Sequence, residues 1–511
     1  MTDRGTYEGA SRRDFWATLD QPLSGWACAV GWLGASALFV LLIRFLGGPS
    51  SIDTVESMYS TWSIAHGHFS CAFPAESALV RASFVQPVPS IAPMYPLVSA
   101  SIAALARLGS QVPFPSAAAL GAHCSNGPPA MFHWAIKTQV FDATYNIGYV
   151  GWLFLMAGTV AFLRAVGRGR CLWEPVTLFI LACLPPVWGG IRGVFHPEDL
   201  LALGLSLGGL ACALRRWWVW AGILLALAVL SQQFALLVAA PLFVVAPANR
   251  RLRFSMAGAC TFGVVVVPLV AMTSIRAIRA FTLGSGHSNG EGGTVLHELH
   301  LHGWMLVGAS RLLPIGASMV LAWWLARRLG DSVLEPVPLA GLIALSFSLR
   351  LVFEENLHHT YYYMALAVAL ILLDVVRGHI RGTLVAWIAL VTFAYNVGFG
   401  SLFSGVHWEA GAQEHAPEIA ILLGFTVVVL DLGRHRRRWY LVAWLVLMIG
   451  AFASWPFERE SIRAPLPYLL LQLVLVPMGI WLAAGPLVGY MRGRARLVPV
   501  AGTAERLDPV E

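Results

Sequence analysis

Asp53 follows the first long apolar run by seven residues, in the stretch SSIDTVESMYSTWSIAHGHFSCAFP. A carboxylate at that boundary can take the proton from an acceptor hydroxyl as the hydroxyl attacks a carbon. It can also be an ordinary first-turn helix residue, since Ser50 and Ser51 precede it and an acid suits a helix N-terminus. A second stretch reads IRGVFHPEDLLALGL. Pro197, Glu198 and Asp199 there fit the opening of a helix. Of this group His196 and Asp199 are the stronger candidates for substrate contact. The pair Gln232 and Gln233 interrupts LLALAVLSQQFALLVAAPL. Two amides in so apolar a segment need hydrogen-bond partners, either across a turn or on a sugar hydroxyl.

The densest constellation is LRLVFEENLHHTYYYMALAVALILL. Arg350, Glu354, Glu355, His358, His359, Tyr361, Tyr362 and Tyr363 fall within 14 residues. Ionisable groups beside an apolar run are candidates for function. Arg350 can pair with Glu354 as a structural ion pair, or bind a phosphate together with His358 or His359. Of the tyrosines, Tyr361 is taken as a substrate contact and the other two as interface aromatics. The run HELHLHGW, from His297 to Trp304, resembles a metal cluster in composition only. Its histidines lack the HExxH spacing that sets two rings one helical turn apart, so no metal ligands are assigned. Arg276 and Arg279 suit a phosphate or an interfacial anchor equally.

These groups have to be held by a very apolar chain. The 511 residues are 57% hydrophobic and 12% charged, with mean hydropathy +0.68. Soluble domains carry about 25% charged residues, so a soluble enzyme, a disordered chain and a nucleic-acid binder are excluded. The net charge of +7 comes from arginines scattered in short clusters. Lys137 is the one lysine and no glycine loop surrounds it, which excludes ATP hydrolysis by a Walker A loop. Neither Asp-x-Asp nor Gly-x-Gly-x-x-Gly occurs, which speaks against a cytosolic nucleotide-sugar site.

The apolar runs predict an all-α, polytopic membrane protein of 12 to 14 spans. The expected spans are 24–46, 140–163, 172–190, 199–214, 217–231, 234–248, 254–273, 304–326, 336–352, 360–376, 383–402, 417–432, 439–455 and 466–490. The two between 217 and 248 are short enough to cross only half-way together. The first run is too long for a cleaved signal peptide. Arginine clusters mark alternate loops, with 23 of the 34 basic residues on one side, and this bias puts both termini in the cytoplasm. Residues 1–23 then form a cytoplasmic start, 24–490 the membrane domain and 491–511 a disordered cytoplasmic tail. The outer loop 47–139 is long, with interfacial helices expected over 52–66 and 94–108. A second long outer loop covers 274–303. Thirteen of the 15 histidines fall on the outer side, so chemistry is expected there. Cys71 and Cys124 share the first outer loop; a disulfide between them suits an oxidising compartment, and the spacing leaves the pairing open.

The pattern of Asp53, Tyr59, Ala65, Gly67 and Pro74 after a single span resembles the GT-C fold glycosyltransferases. Pro93, Tyr95 and Pro96 follow at the start of an interfacial helix. The HPED loop and the SQQ turn are similar to His-Pro and Lys-Gln features of polyprenyl-phosphate-mannose-dependent mannosyltransferases. The likeness covers roughly residues 24–375. It departs at Ser231, where the Lys-Gln pattern carries a lysine near the donor phosphate. Phosphate anchoring therefore falls on Arg350, His358 and His359.

The resemblance implies Asp53 as base, a polyprenyl-phosphate sugar as donor, and a lipid or glycan as acceptor. Transfer occurs in one inverting displacement at the outer face of the plasma membrane. No cofactor is required, and a divalent metal is optional. His196, Asp199, Gln232, Gln233, Arg350, Glu354, Glu355, His358, His359 and Tyr361 are the expected substrate contacts. The competing readings are a transporter or flippase of lipid-linked precursors, with its ionisable groups at the bilayer midplane, and a non-catalytic scaffold of an envelope complex.

Overall fold

The structure is a computed structural model that describes residues 16–46, 141–192, 196–272, 303–354, 363–388, 391 and 465–497. Both long outer loops, their interfacial helices, Cys71, Cys124 and the expected spans 417–432 and 439–455 lie outside the described residues. Those described are helical, without a strand. Five of the helices are long and apolar enough to cross a membrane. The chain is thus an all-α, multi-pass membrane protein.

In chain order the helices are α1 (Gly25–Leu46), α2 (Phe141–Ala165), α3 (Trp173–Cys183), α4 (Pro185–Arg192), α5 (Pro197–Leu214) and α6 (Trp218–Ser231). After them come α7 (Leu236–Val245), α8 (Ala248–Met272), α9 (Gly303–Leu329), α10 (Pro336–Phe353), α11 (Met364–Val376) and α12 (Pro465–Leu497). The Ser24 hydroxyl opens α1 by accepting from the Ala27 N–H at 3.2 Å.

Two expected boundaries change. The single span over 172–190 is two helices, α3 and α4. Pro185 has no N–H to continue the ladder and disfavours helical backbone before it, and Leu184 is extended at φ −73°, ψ 114°. The tail expected from 491 is still helical to Leu497, where Arg494 donates to the Leu329 carbonyl at 3.1 Å. The two short runs between 217 and 248 are confirmed as short. α6 has 14 residues and α7 has 10, joined by a 3-10 turn over Gln233–Ala235.

α5 is the central helix and is almost wholly buried. A helix apolar on every side has to be surrounded by others. It lies parallel to α2 at a distance that only glycine permits. A Cβ on Gly158 would run into the Gly204 carbonyl, and one on Gly204 into the Phe154 carbonyl. Close approach through small residues is how membrane helices gain packing where lipid competes for every apolar face. A Cβ on Gly151 would likewise meet the Pro197 carbonyl, so the same contact fixes the first turn of α5. The lipid-exposed faces are apolar, for example Val264 at 74% and Leu312 at 69% exposed.

One end of the bundle is tied by arginines. Arg164 holds Glu174, Arg381 holds Asp374, and Arg168 pairs with Asp20. Arg168 also packs on Gly378, whose φ of +77° turns the chain back after α11. α2 and α5 both run toward this end.

Candidate functional site

The opposite end of α5 begins with His196, whose φ of −111° and ψ of 59° lie outside the helix. Its Nδ1 lies 2.8 Å from Glu198 Oε1. Pro197 occupies the first helical position, where a missing N–H costs nothing. Asp199 follows, 3% exposed.

Across from it, α6 stops where Ser231 returns its hydroxyl to the Leu227 carbonyl at 2.8 Å. Ser231 is fully buried and takes no part in the site. Gln232 is extended and does two jobs with one amide. Its oxygen accepts from the Gln233 N–H at 3.1 Å, and its nitrogen donates to Asp199 Oδ1 at 2.7 Å. Of the two roles open to this residue, the geometry supports holding the turn.

Gln233 looks the other way, toward α9. Its Oε1 accepts from Arg311 Nη1 at 2.6 Å. Phe234 comes next, with the Arg350 guanidinium 5.2 Å from its ring centre and Phe347 edge-on at 5.9 Å. Arg350 Nε donates to Glu354 Oε2 at 2.8 Å, four residues on. The ion-pair role anticipated for these two is therefore present. Arg350 also lies within electrostatic reach of Asp199.

The structure thus brings together His196, Asp199, Gln232, Gln233, Arg350 and Glu354 around one 3-10 turn. Asp53, Glu355, His358, His359 and Tyr361 lie outside the described residues, as do His297, His300 and His302. Two participants were missed from the sequence. Arg311 was readable only as a lone charge in an apolar run, which is itself a signal. Glu198 was set aside as a helix-opening acid. It is 8% exposed, and its Oε2 is buried with no hydrogen-bond partner among the described residues.

Chemically, the end of the bundle offers carboxylate acceptors, amides and guanidinium donors inside an apolar frame. Such a set suits a polar, anionic, hydroxyl-bearing ligand.

An all-α polytopic membrane protein with a polar cluster at one end is the class that fold and geometry define. No family model matches the chain, and no curated protein matches it. Among solved structures it is similar to ArnT from Cupriavidus metallidurans bound to undecaprenyl phosphate. The identity is 15%, over 91% of this chain and 78% of that one, with a TM-score of 0.42.

Proposed function

We propose that the protein is a GT-C-type glycosyltransferase of the plasma membrane. It moves a sugar, mannose by the sequence resemblance, from a polyprenyl phosphate to a lipid or glycan hydroxyl at the outer face, with both termini cytoplasmic. The observation that carries the reading is the cluster at the start of α5. There an acid, two amides and two arginines from four parts of the chain meet within an otherwise apolar bundle.

In this reading Asp53 takes the acceptor hydroxyl proton as that oxygen bonds to the anomeric carbon. The bond from that carbon to the phosphate oxygen breaks on the far side, and the phosphate leaves with the electron pair. The configuration inverts in the single step. Arg350, with His358 or His359, stabilises the charge growing on the leaving phosphate. Asp199, His196 and Glu355 accept sugar hydroxyls, and Tyr361 is a further substrate contact in this reading. Gln232 holds Asp199 in place.

The test uses membranes carrying the protein, radiolabelled polyprenyl-phosphate mannose and a lipid extract. Label should pass to a new lipid or glycan product, and Asp53→Asn should stop the transfer while the protein still folds. Label that stays on the donor with the wild-type protein, over a range of acceptors, overturns the reading.

One observation favours a second reading, a flippase of lipid-linked precursors. α6 and α7 form a broken pair with a polar turn, as transporter binding sites often do. That protein would relocate the labelled lipid across sealed vesicles and form no new glycosidic bond.

A further inference from the structure

Between Asp199 and Glu291 the chain carries no acidic residue. Arg215, Arg216, Arg250, Arg251 and Arg253 all stand in that stretch, the first two closing α5 and the others opening α8. α8 packs on α6 so closely that a Cβ on Gly222 would run into the Phe254 carbonyl, and the Trp218 and Phe254 rings meet edge-on at 6.4 Å. That contact draws the two arginine groups to one corner of the bundle. Arg216 precedes Trp218 by two residues, and Arg250 precedes Phe254 by one helical turn. All of these arginines are exposed. Two have local tasks: Arg215 lies over the Trp217 ring at 5.5 Å, and Arg251 donates to the Val244 and Ala246 carbonyls at the end of α7. The side chains of Arg216, Arg250 and Arg253 make no hydrogen bond or ion pair among the described residues. By contrast, Arg164, Arg168 and Arg381 at the same end each hold an acid.

Arg216 carries a second signal. It is the left-handed residue of a Schellman turn after α5, at φ +64°. Its N–H bonds the Ala213 carbonyl at 2.9 Å, and the Trp217 N–H bonds the Cys212 carbonyl at 2.8 Å. Glycine fills that position without strain, and a residue with a Cβ does not. Orienting the chain in the membrane needs only positive charge in this loop, which Arg215 supplies. A guanidinium held at a strained position points to a use of its own. Around and beyond the charges the same two helices are apolar at the surface, with Trp220 59%, Leu252 70% and Met256 56% exposed.

We propose that this corner of α6 and α8 binds an anionic glycerophospholipid of the leaflet on the arginine-rich side. The head phosphate sits among Arg216, Arg250 and Arg253, and the acyl chains run along Trp220, Leu252 and Met256. A planar guanidinium offers a phosphate two parallel donors. A zwitterionic head brings its own cation into a site that has no acid to receive it. A soluble acidic partner would leave the apolar half of the patch uncovered. The site lies at the far end of α5 from the polar cluster, about 27 Å away over 18 residues at 1.5 Å each. It therefore stands apart from the transferase reading and does not depend on it.

The experiment measures lipid binding to the full-length protein by native mass spectrometry from detergent micelles. The probes are phosphatidylglycerol and phosphatidylcholine with the same acyl chains, with inorganic phosphate and polyglutamate as competitors. Wild type should bind phosphatidylglycerol at least ~10-fold more tightly than phosphatidylcholine, and neither competitor in excess should displace it. The triple variant R216G, R250Q and R253Q should bind the two lipids alike. R250Q alone should lose about 5-fold toward phosphatidylglycerol. R216G should lose a similar factor while melting no lower than wild type, because glycine relieves the turn; a purely structural Arg216 would leave binding unchanged. R492Q removes an exposed arginine of α12 at the same end and should keep the wild-type preference. Equal binding of the two lipids by wild type overturns the proposal, as does a preference that survives the triple variant. An equal loss in R492Q shows a response to net charge and overturns the local site. Displacement by phosphate shows a soluble-anion site, and displacement by polyglutamate an acidic protein partner; either overturns the proposal. Should the triple variant fail to fold, R250Q decides it, and wild-type affinity for phosphatidylglycerol in that variant overturns the proposal. All of these outcomes leave the transferase reading standing.

Discussion

Buried acids occur at both ends of the bundle, and the two ends treat them in opposite ways. At the arginine-rich end Glu174 is fully buried and saturated. Arg164 reaches it twice at 3.1 Å, Trp32 Nε1 donates at 2.9 Å, and the Arg170 N–H donates at 3.0 Å. Asp374, also fully buried, takes the Arg381 side chain at 2.7 Å and its backbone N–H at 2.9 Å, while Arg381 reaches on to the Leu482 carbonyl. At the other end Asp199 receives a neutral amide, and Glu198 keeps one oxygen unpartnered among the described residues. A carboxylate whose oxygens are taken up by guanidinium, indole and backbone donors locks helices together and has little left for a ligand. One with spare accepting capacity in an apolar frame is costly to the fold and useful to a substrate. The first end is built for stability, and the second has the spare capacity that the proposed binding role requires.

The largest expected effect breaks the saturated end. Asp374→Ala strands the Arg381 guanidinium inside the bundle, and loss of one partner of a buried pair costs about 3–5 kcal/mol. Thermal unfolding in detergent should show a large drop for this variant. A melting point close to wild type would mean that the two ends do not differ as argued. The next effect probes the binding end. Asp199→Asn removes the charge and keeps an oxygen for Gln232, so the fold should be unchanged or slightly firmer. Transfer should fall by about 10- to 100-fold, the worth of a hydrogen bond to a charged group. Loss of folding without a specific loss of transfer would make Asp199 a second structural acid.

The same contrast explains what could be read from the sequence. The apolar runs gave the helices, because a span is set by length and composition along the chain. The SQQ interruption located the turn, since two amides in LLALAVLSQQFALLV have to be satisfied somewhere. Partners from distant helices were not legible. Nothing in the sequence around Glu174 tells that Trp32, 142 residues earlier, donates to it. Nothing around Gln233 points to Arg311, 78 residues later. The break at Leu184 was visible in principle, as two prolines follow it, but an apolar run long enough to span hides a proline break.

A smaller effect tests whether α5 needs its close neighbour to present the cluster. Gly158→Ala puts a methyl group against the Gly204 carbonyl. Overpacking of this kind costs about 1–3 kcal/mol. Because the same helix pair fixes Pro197, the variant should lose stability and some transfer together. A variant that loses stability while keeping full transfer would detach the cluster from the α2–α5 contact.

The smallest effect concerns a surface pair at the arginine-rich end, where saturation by a neutral donor can be compared with saturation by cations. Glu335, exposed between α9 and α10, accepts from the Tyr490 hydroxyl at 2.5 Å. That hydrogen bond, with help from Ser332 and Arg494 and against some burial, holds the Glu335 carboxyl below its ordinary value of 4.5. A carboxyl lowered in the folded state adds stability above its unfolded value, and that share is lost as pH falls through the folded value. Wild type should therefore melt slightly above Tyr490→Phe at neutral pH, with the gap narrowing as pH drops below 4.5. The phenylalanine keeps the ring packing, so the pH-dependent part of the gap reports the hydrogen bond to the ionised carboxyl. A gap that stays constant into acid would assign the pair's contribution to packing.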